Sequence, residues 1–190
     1  MITNGRIIVQ IVKEVILDYT EKTVRKNYIY KGKILNLRCD DAALFDGTPC
    51  KREIIEHGGG ACVLCVEEDK ALLVRQYRYA YGESVYEIPA GKLNAGEDPA
   101  LAAARELEEE TGCKAKELEL LYEVYPTPGY TNERIFVYYA KGIERTAAHL
   151  DEGEYLDAEW IPLPRVKEML KKGEIKDGKT IIALQAFLLQ

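Results

Sequence analysis

Histidine is scarce in this chain of 190 residues: only His57 and His149 occur. Neither stands in a motif, and both read as surface or structural residues. Basic charge is also in deficit, with 26 lysines and arginines against 32 acids and a formal charge of −6. A non-specific nucleic-acid binder needs basic surface to replace counterions, so that class is set aside. Long apolar runs are missing. Ala61–Val66 falls far short of the roughly 20 residues a membrane helix needs. Near the N-terminus, apolar Ile7–Val12 gives way to Lys13, Glu14 and Asp18 with no small-residue cleavage site after it. This argues against a secretory signal and for a cytoplasmic protein. The five cysteines are odd in number and irregular in spacing, which fits the same compartment. Cys62 and Cys65 form a C-x-x-C, but no second pair exists to complete a four-ligand metal site. On a strand, positions three apart point to opposite faces, so both are expected as core residues. Internal repeats and low-complexity tracts are lacking too.

What remains is ample for a core: 47% of residues are hydrophobic. The length allows one large domain, or one domain with an extension. Residues 1–20 are apolar with scattered charge and read as strand or helix. Thr23 to His57 is β-rich, with a hairpin turn at Asp46-Gly47. Gly58-Gly59-Gly60 marks a boundary. The organisation expected is a β-rich N-terminal part, 1–57, and a second domain, 58–190. In the latter, strands are expected at Ala61–Val66, Ala71–Tyr77 and Val85–Ile88, with a turn at Glu68-Asp69-Lys70. A helix follows at Pro99–Thr111, capped by Asp98 and stopped by Gly112. Further strands are expected at Leu118–Tyr125, Arg134–Ala140 and Tyr155–Ile161, with a loop between Gly142 and Gly153. Helices at Arg165–Lys172 and Lys179–Leu189, the second capped by Asp177, close the chain. Strand runs mixed with a few helices indicate an α+β or mixed-sheet α/β fold.

The segment 91–113 carries the chemistry. A helical residue advances about 100°, which places Glu106 and Glu110 about 40° apart and Glu109 about 60° to the other side of Glu106. Three carboxylates therefore share one stripe, while Ala103 and Leu107 share an apolar face. Like charges at this spacing oppose helix formation. A divalent cation is a simple compensation, and oxygen-only ligands favour Mg²⁺ or Mn²⁺. The fixed positions read Gly91, five residues, Glu97, seven residues, then Arg105-Glu106-Leu107-x-Glu109-Glu110-x-Gly112-Cys113.

This pattern resembles the Nudix hydrolase signature at every fixed position, with Cys113 as the small hydrophobe. Flanking segments resemble the ADP-ribose pyrophosphatase branch: Val74-Arg75-Gln76-Tyr77-Arg78, Glu87-Ile88-Pro89-Ala90-Gly91, Pro126-Thr127-Pro128-Gly129 and Gly173–Thr180. The similarity covers roughly residues 22–190, and a GDP-mannose-hydrolysing branch has similar flanks. The resemblance implies a Nudix fold, a mixed-sheet α/β/α sandwich. It implies metal-dependent hydrolysis of a nucleoside diphosphate sugar, with ADP-ribose giving AMP and ribose 5-phosphate. Glu106, Glu109, Glu110 and the backbone carbonyl of Ala90 are then the metal ligands. Arg105 would pair with a box glutamate such as Glu97. Glu152 would be the general base on a mobile loop, with Glu154 as auxiliary ligand or alternative base. Arg52, Arg75 and Arg78 would meet the substrate's phosphates and ribose. Pro128 sits where the branch carries a proline. Strand alternation places Arg75 with Tyr77, opposite Gln76 and Arg78. Tyr28 and Tyr30 are candidates for stacking on the base. Homodimerisation through the N-terminal part is implied as well. A non-catalytic nucleotide sensor of the same fold would lose box glutamates, and all four stand here.

Overall fold

A computed structural model describes residues 18–189, and the strand-or-helix expectation for residues 1–20 lies outside them as far as residue 17. Two sheets organise the chain. The first is antiparallel, with strands β1 (Lys22–Arg25), β2 (Tyr28–Lys31), β3 (Leu35–Ala43) and β4 (Pro49–His57). β1 and β2 pair along one edge of β3, and β4 pairs along the other. The hairpin between β3 and β4 turns at Asp46-Gly47. Gly47 takes φ +87°, and Asp46 Oδ1 accepts from the Thr48 N–H at 2.9 Å.

The second sheet is mixed. Its strands are β5 (Gly60–Glu67), β6 (Lys70–Arg78), β7 (Glu83–Glu87), β8 (Ala90–Lys92), β9 (Cys113–Val124), β10 (Ile135–Arg145) and β11 (Leu156–Pro162). The spine runs β11-β6-β5-β10-β9, with β7 beside β6 and β8 beside β5. Only β5 and β10 are parallel. β5 and β6 are joined by a tight turn, with Glu68 and Asp69 both at positive φ, and pair at Val66–Ala71 and Glu67–Lys70. Beyond that point they part. β6 takes β7 as its neighbour and β5 takes β8, which opens a wedge in the sheet.

Helices cover both faces: α1 (Pro99–Thr111) on one, α2 (Leu163–Lys172) and α3 (Gly178–Leu188) on the other. Cys62 packs with Leu64, Ile88, Val137, Val166 and Leu184 on the α2–α3 side. Cys65 packs with Val63, Leu72, Ala103 and Leu107 on the α1 side. The two cysteines thus face opposite ways as core residues, and all five cysteines are free. Burial pushes the Cys62 thiol up to about 12, which makes it a packing group rather than a nucleophile. The arrangement is the mixed-sheet α/β/α sandwich expected.

The largest differences from the reading of the sequence are in β8, β9 and β10, while other ends shift by one or two residues. β9 starts at Cys113 rather than Leu118, and β10 runs on to Arg145, through the supposed loop start at Gly142. These extensions are mostly polar and pair with each other, Lys141 meeting Glu117 at 3.5 Å. Their inward positions are few and mostly small, Cys113, Ala115 and Ile143 against the α1-side core, and the exposed residues between them are mostly charged, so periodicity misses the ribbon. β8 is a three-residue strand where a loop was expected. Among the described residues no helix is long and apolar enough to cross a membrane.

Candidate active site

Helix α1 begins where its caps predict. Asp98 accepts from the Ala100 N–H at 2.8 Å, Pro99 fills the first turn, and Gly112 closes the helix in the left-handed region. Gly112 serves a second need. A Cβ there would sit 2.7 Å from the Thr146 carbonyl oxygen, so only glycine lets the loop after β10 return against the helix end. Ala102, Ala103 and Leu107 bury one face of α1 and thereby aim Glu106 and Glu110 toward the wedge between β5 and β6.

At the wedge, the strand β8 and the helix meet closely. Glu110 is only 4% exposed, and its Oε2 accepts from the Ala90 N–H at 3.1 Å. Arg105 ties the other acids together, reaching Glu97 at 3.1 Å, Glu106 at 2.8 Å and Glu109 at 2.9 Å. The Arg105–Glu97 pair is the one expected, and Glu97 also accepts from the Asn94 N–H at 2.8 Å. Arg105 therefore locks the box loop to the helix and orients two carboxylates at once.

The electrostatics are those of crowded acids. Burial pushes the Glu110 carboxyl up to about 8, helped by Glu106, Glu154 and Glu87 and opposed by the Ala90 N–H. Glu106 is raised too, by burial first, then by Glu109 and Glu154, against the pull of Arg105. Among the described residues no three acidic, histidine or cysteine side chains converge tightly enough to cage an ion as they stand. Glu106 and Glu109 are turned onto Arg105 instead. Even so, the donors fit a hard divalent cation: they are oxygens only and mutually repulsive, with Glu110 buried and Glu106 and Glu109 partly so.

A cavity of about 620 Å³ opens beside these acids. Its walls include Ala90, Gly91 and Glu106 on one side and Gln76, Arg78 and Lys179 on the other, with Asp151–Glu154 across the mouth. Arg78 Nη2 meets Glu87 at 2.7 Å, and Lys179 binds both Glu87 and Asp177. Burial works against ionised Glu87, but Arg78 and Lys179 hold its carboxyl below the usual range. Asp177 caps α3, and the Thr180 hydroxyl accepts from the Ile88 N–H at 2.8 Å, so the Gly173–Thr180 segment clamps α3 against the strand entering the site.

Of the expected site residues, Ala90, Glu106, Arg78, Glu152 and Glu154 line this cavity; Glu109 and Glu110 flank Glu106 on α1, and Arg105 braces them. Three others stand apart in the single chain. Arg52 is on β4 and pairs with Glu21 at 2.8 Å. Arg75 lies over the Tyr86 ring at 5.8 Å, exposed on the opposite face from Gln76 and Arg78, as alternation predicts. Pro128 is exposed in the connection between β9 and β10. His57 lines the cavity mouth, where its Nδ1 accepts from the Gly59 N–H at 3.1 Å. Gln76 and Lys179 are among the wall residues that received no role from the sequence. Gln76 could have been found, since it shares a strand face with Arg78. Lys179 could not, because only the tertiary fold brings it to Glu87.

Residues 56–184 match the NUDIX domain, and the chain belongs to that family. It is a Nudix hydrolase. It is 41% identical over 175 residues to the methanol dehydrogenase activator of Bacillus methanolicus, covering 90% of this chain and 95% of that one. It is 38% identical over 173 residues to the ADP-ribose pyrophosphatase of Bacillus subtilis (strain 168), covering 90% and 94%. A solved structure described as an ADP compounds hydrolase superposes with a TM-score of 0.78 at 20% identity, over 89% of this chain and 92% of that one, and shows the shared fold.

Proposed function

We propose that the protein hydrolyses the pyrophosphate of a nucleoside diphosphate sugar, with ADP-ribose as substrate and AMP and ribose 5-phosphate as products. One observation carries the reading: a single cavity gathers the acidic face of α1, the loop acids and the cations Arg78 and Lys179. The similarity to an ADP-ribose pyrophosphatase over nearly the whole chain supports the choice of substrate.

Glu106, Glu109, Glu110 and the Ala90 carbonyl would hold Mg²⁺ or Mn²⁺. Such an ion neutralises the pyrophosphate and acidifies the attacking water. Arg105 keeps Glu106 and Glu109 in place. Arg78 and Lys179 face the phosphates as fixed positive charge. A loop carboxylate takes the proton of the attacking water, whose oxygen bonds to one phosphorus as the bridging P–O bond breaks. Both loop acids line the cavity. The sequence favours Glu152 for this role; the bond from Gln76, which fixes Glu154 on the cavity wall, supports Glu154. We assign the proton to Glu154, with Glu152 as the alternative.

We assign homodimerisation to the N-terminal part, 1–57. Val24, Ile29, Tyr30 and Ile34 are each more than half exposed there, and such apolar surface on open sheet edges favours a partner. Arg52, Arg75 and Pro128 do not line the cavity of their own chain, and we assign them to a second subunit's cavity. Five free cysteines suit a reducing compartment, and the cytoplasm is the location we assign. No nucleic-acid or membrane partner is part of the reading.

The test is incubation with ADP-ribose and Mg²⁺, reading AMP release, beside the same assay with GDP-mannose. AMP from ADP-ribose is the expected result. Cleavage of GDP-mannose alone reassigns the substrate. Tight binding without cleavage of either makes the protein a sensor.

A further inference from the structure

Gln76 and Arg78 lie two residues apart on β6 and turn their side chains to the same cavity. The Gln76 Nε2 donates to Glu154 Oε1 at 3.1 Å. Glu154 sits on the connection from β10 to β11. The near end of that connection is tied to the C-terminus of α1 by two backbone bonds. Thr146 N donates to Gly112 O at 2.7 Å, and His149 N donates to Glu109 O at 2.8 Å. At the far end, Glu154 N donates to Asp151 O at 3.0 Å, which closes the turn at Gly153. The loop therefore spans from helix to sheet with both feet fixed, and the Gln76 amide supplies the foot on the sheet.

That foot works against a force. Glu154 and Glu106 line the same cavity, and two carboxylates that face one space repel each other. Among the described residues Glu154 has no ion pair, and the amide of Gln76 is the side-chain contact that opposes the repulsion. A lysine or arginine in its place would hold the carboxylate more strongly but would also weaken it as a base. A neutral amide restrains it with less loss of basicity.

We propose that Gln76 is a positioning residue that latches the 146–155 loop in the substrate-free enzyme and holds Glu154 at the reacting centre. The inference rests on the role given above to Glu154. It changes the picture of that loop: the acid is placed before substrate arrives, and not by substrate-driven closure.

The test compares Gln76→Met, Glu154→Gln and the double variant of the full-length protein. Steady-state kinetics with ADP-ribose are read beside amide hydrogen exchange across residues 146–155 without substrate. Gln76→Met keeps length and loses the donor. Loss of a charge-assisted hydrogen bond corresponds to a fall of roughly ten-fold in kcat. KM is expected to stay within about two-fold, because substrate contacts remain. Exchange at Glu154 is expected to accelerate, and in the Glu154→Gln background the Gln76 change is expected to add nothing. Gln76→Glu, which sets a carboxylate against Glu154, is expected to open the loop further. Normal kcat and unchanged exchange in Gln76→Met, beside an impaired Glu154→Gln, overturn the latch and leave the function standing. An additional loss in the Glu154→Gln background means that Gln76 acts on substrate, and overturns it too. Full turnover in Glu154→Gln overturns both the role of Glu154 and the latch. If no nucleotide sugar is cleaved, the exchange data alone decide, and unchanged loop exchange defeats the proposal.

Discussion

Gly91 and Glu106 approach so closely that a β-carbon on Gly91 would fall 1.9 Å from the Glu106 carboxylate. The first glycine of the box is therefore a space requirement of the acid two turns into the helix. It is not a demand of backbone conformation. Gly91→Ala is expected to push Glu106 away rather than unfold the chain, since the clash is with the far end of a flexible side chain. Turnover should fall by about two orders of magnitude or more, as for misplaced catalytic groups. The melting temperature should move by only a few degrees. An active Gly91→Ala protein would show that Glu106 is not needed where it stands.

Glu110 gives a pH signature. Its carboxyl is raised to about 8 in the fold against 4.5 for the free group. Between those values the unfolded chain has released a proton that the folded chain retains, so stability falls as pH rises. Glu110→Gln lacks this proton. In chelator, the variant is expected to be the more stable protein, with a gap that opens from about pH 4.5, grows to about pH 8 and then holds. Adding Mg²⁺ at pH 8 is expected to stabilise the wild type more than the variant, and turnover of the variant to collapse. Urea titrations at several pH values read the gap.

The loop acids separate by kinetics. Glu154→Gln is expected to lower kcat strongly and leave KM nearly unchanged, as loss of a proton acceptor does. Glu152→Gln is expected to cost less. A Mg²⁺ titration of both variants distinguishes a base from an auxiliary ligand, because only the latter is partly rescued by excess metal. A silent Glu154 beside a dead Glu152 reverses the assignment.

Lys179 and Glu87 are both largely withdrawn from water, with side-chain exposures of 13% and 3%. Removing one partner of such a pair typically costs about 3–5 kcal/mol. Arg78 remains bound to Glu87, so Lys179→Met is expected to cost less, roughly 1–3 kcal/mol. Denaturant midpoints measure it. No loss would mean that the clamp between α3 and β7 contributes nothing to stability.

Dimerisation through the N-terminal part is checked by light scattering at micromolar concentration. The expected mass is twice 21.5 kDa. A stable monomer would count against Arg52 as a substrate contact, since among the described residues it pairs with Glu21 and does not line the cavity of its own chain.

The parts of the fold and site legible in the sequence are those with local signals. The caps at Asp98 and Gly112 bound α1 to the residue, and helical spacing puts Glu106 and Glu110 on one stripe. Alternation correctly sends Cys62 and Cys65 into different cores and separates Arg75 from Arg78. What stays hidden depends on partners distant in sequence. β8 is a strand only because β5 has parted from β6 and needs a neighbour. The polar extensions of β9 and β10 exist because each supplies the other's backbone bonds. Arg105 is readable as a partner of Glu97, but its simultaneous hold on Glu106 and Glu109 requires the folded turn.

The parting of β5 and β6 divides the labour of the protein mechanically. The acid-bearing helix rests on β5 and β8, while the cations rest on β6, β7 and α3. The two halves are joined through a tight turn at Glu68-Asp69, on the far side of the sheet's wedge from the cavity. The cavity is thus the open end of a split whose two sides share one core, since α3 packs on β5 and β10 as well as on the β7 side. Acid and cation are carried on separate strands but held at a fixed spacing by that common packing.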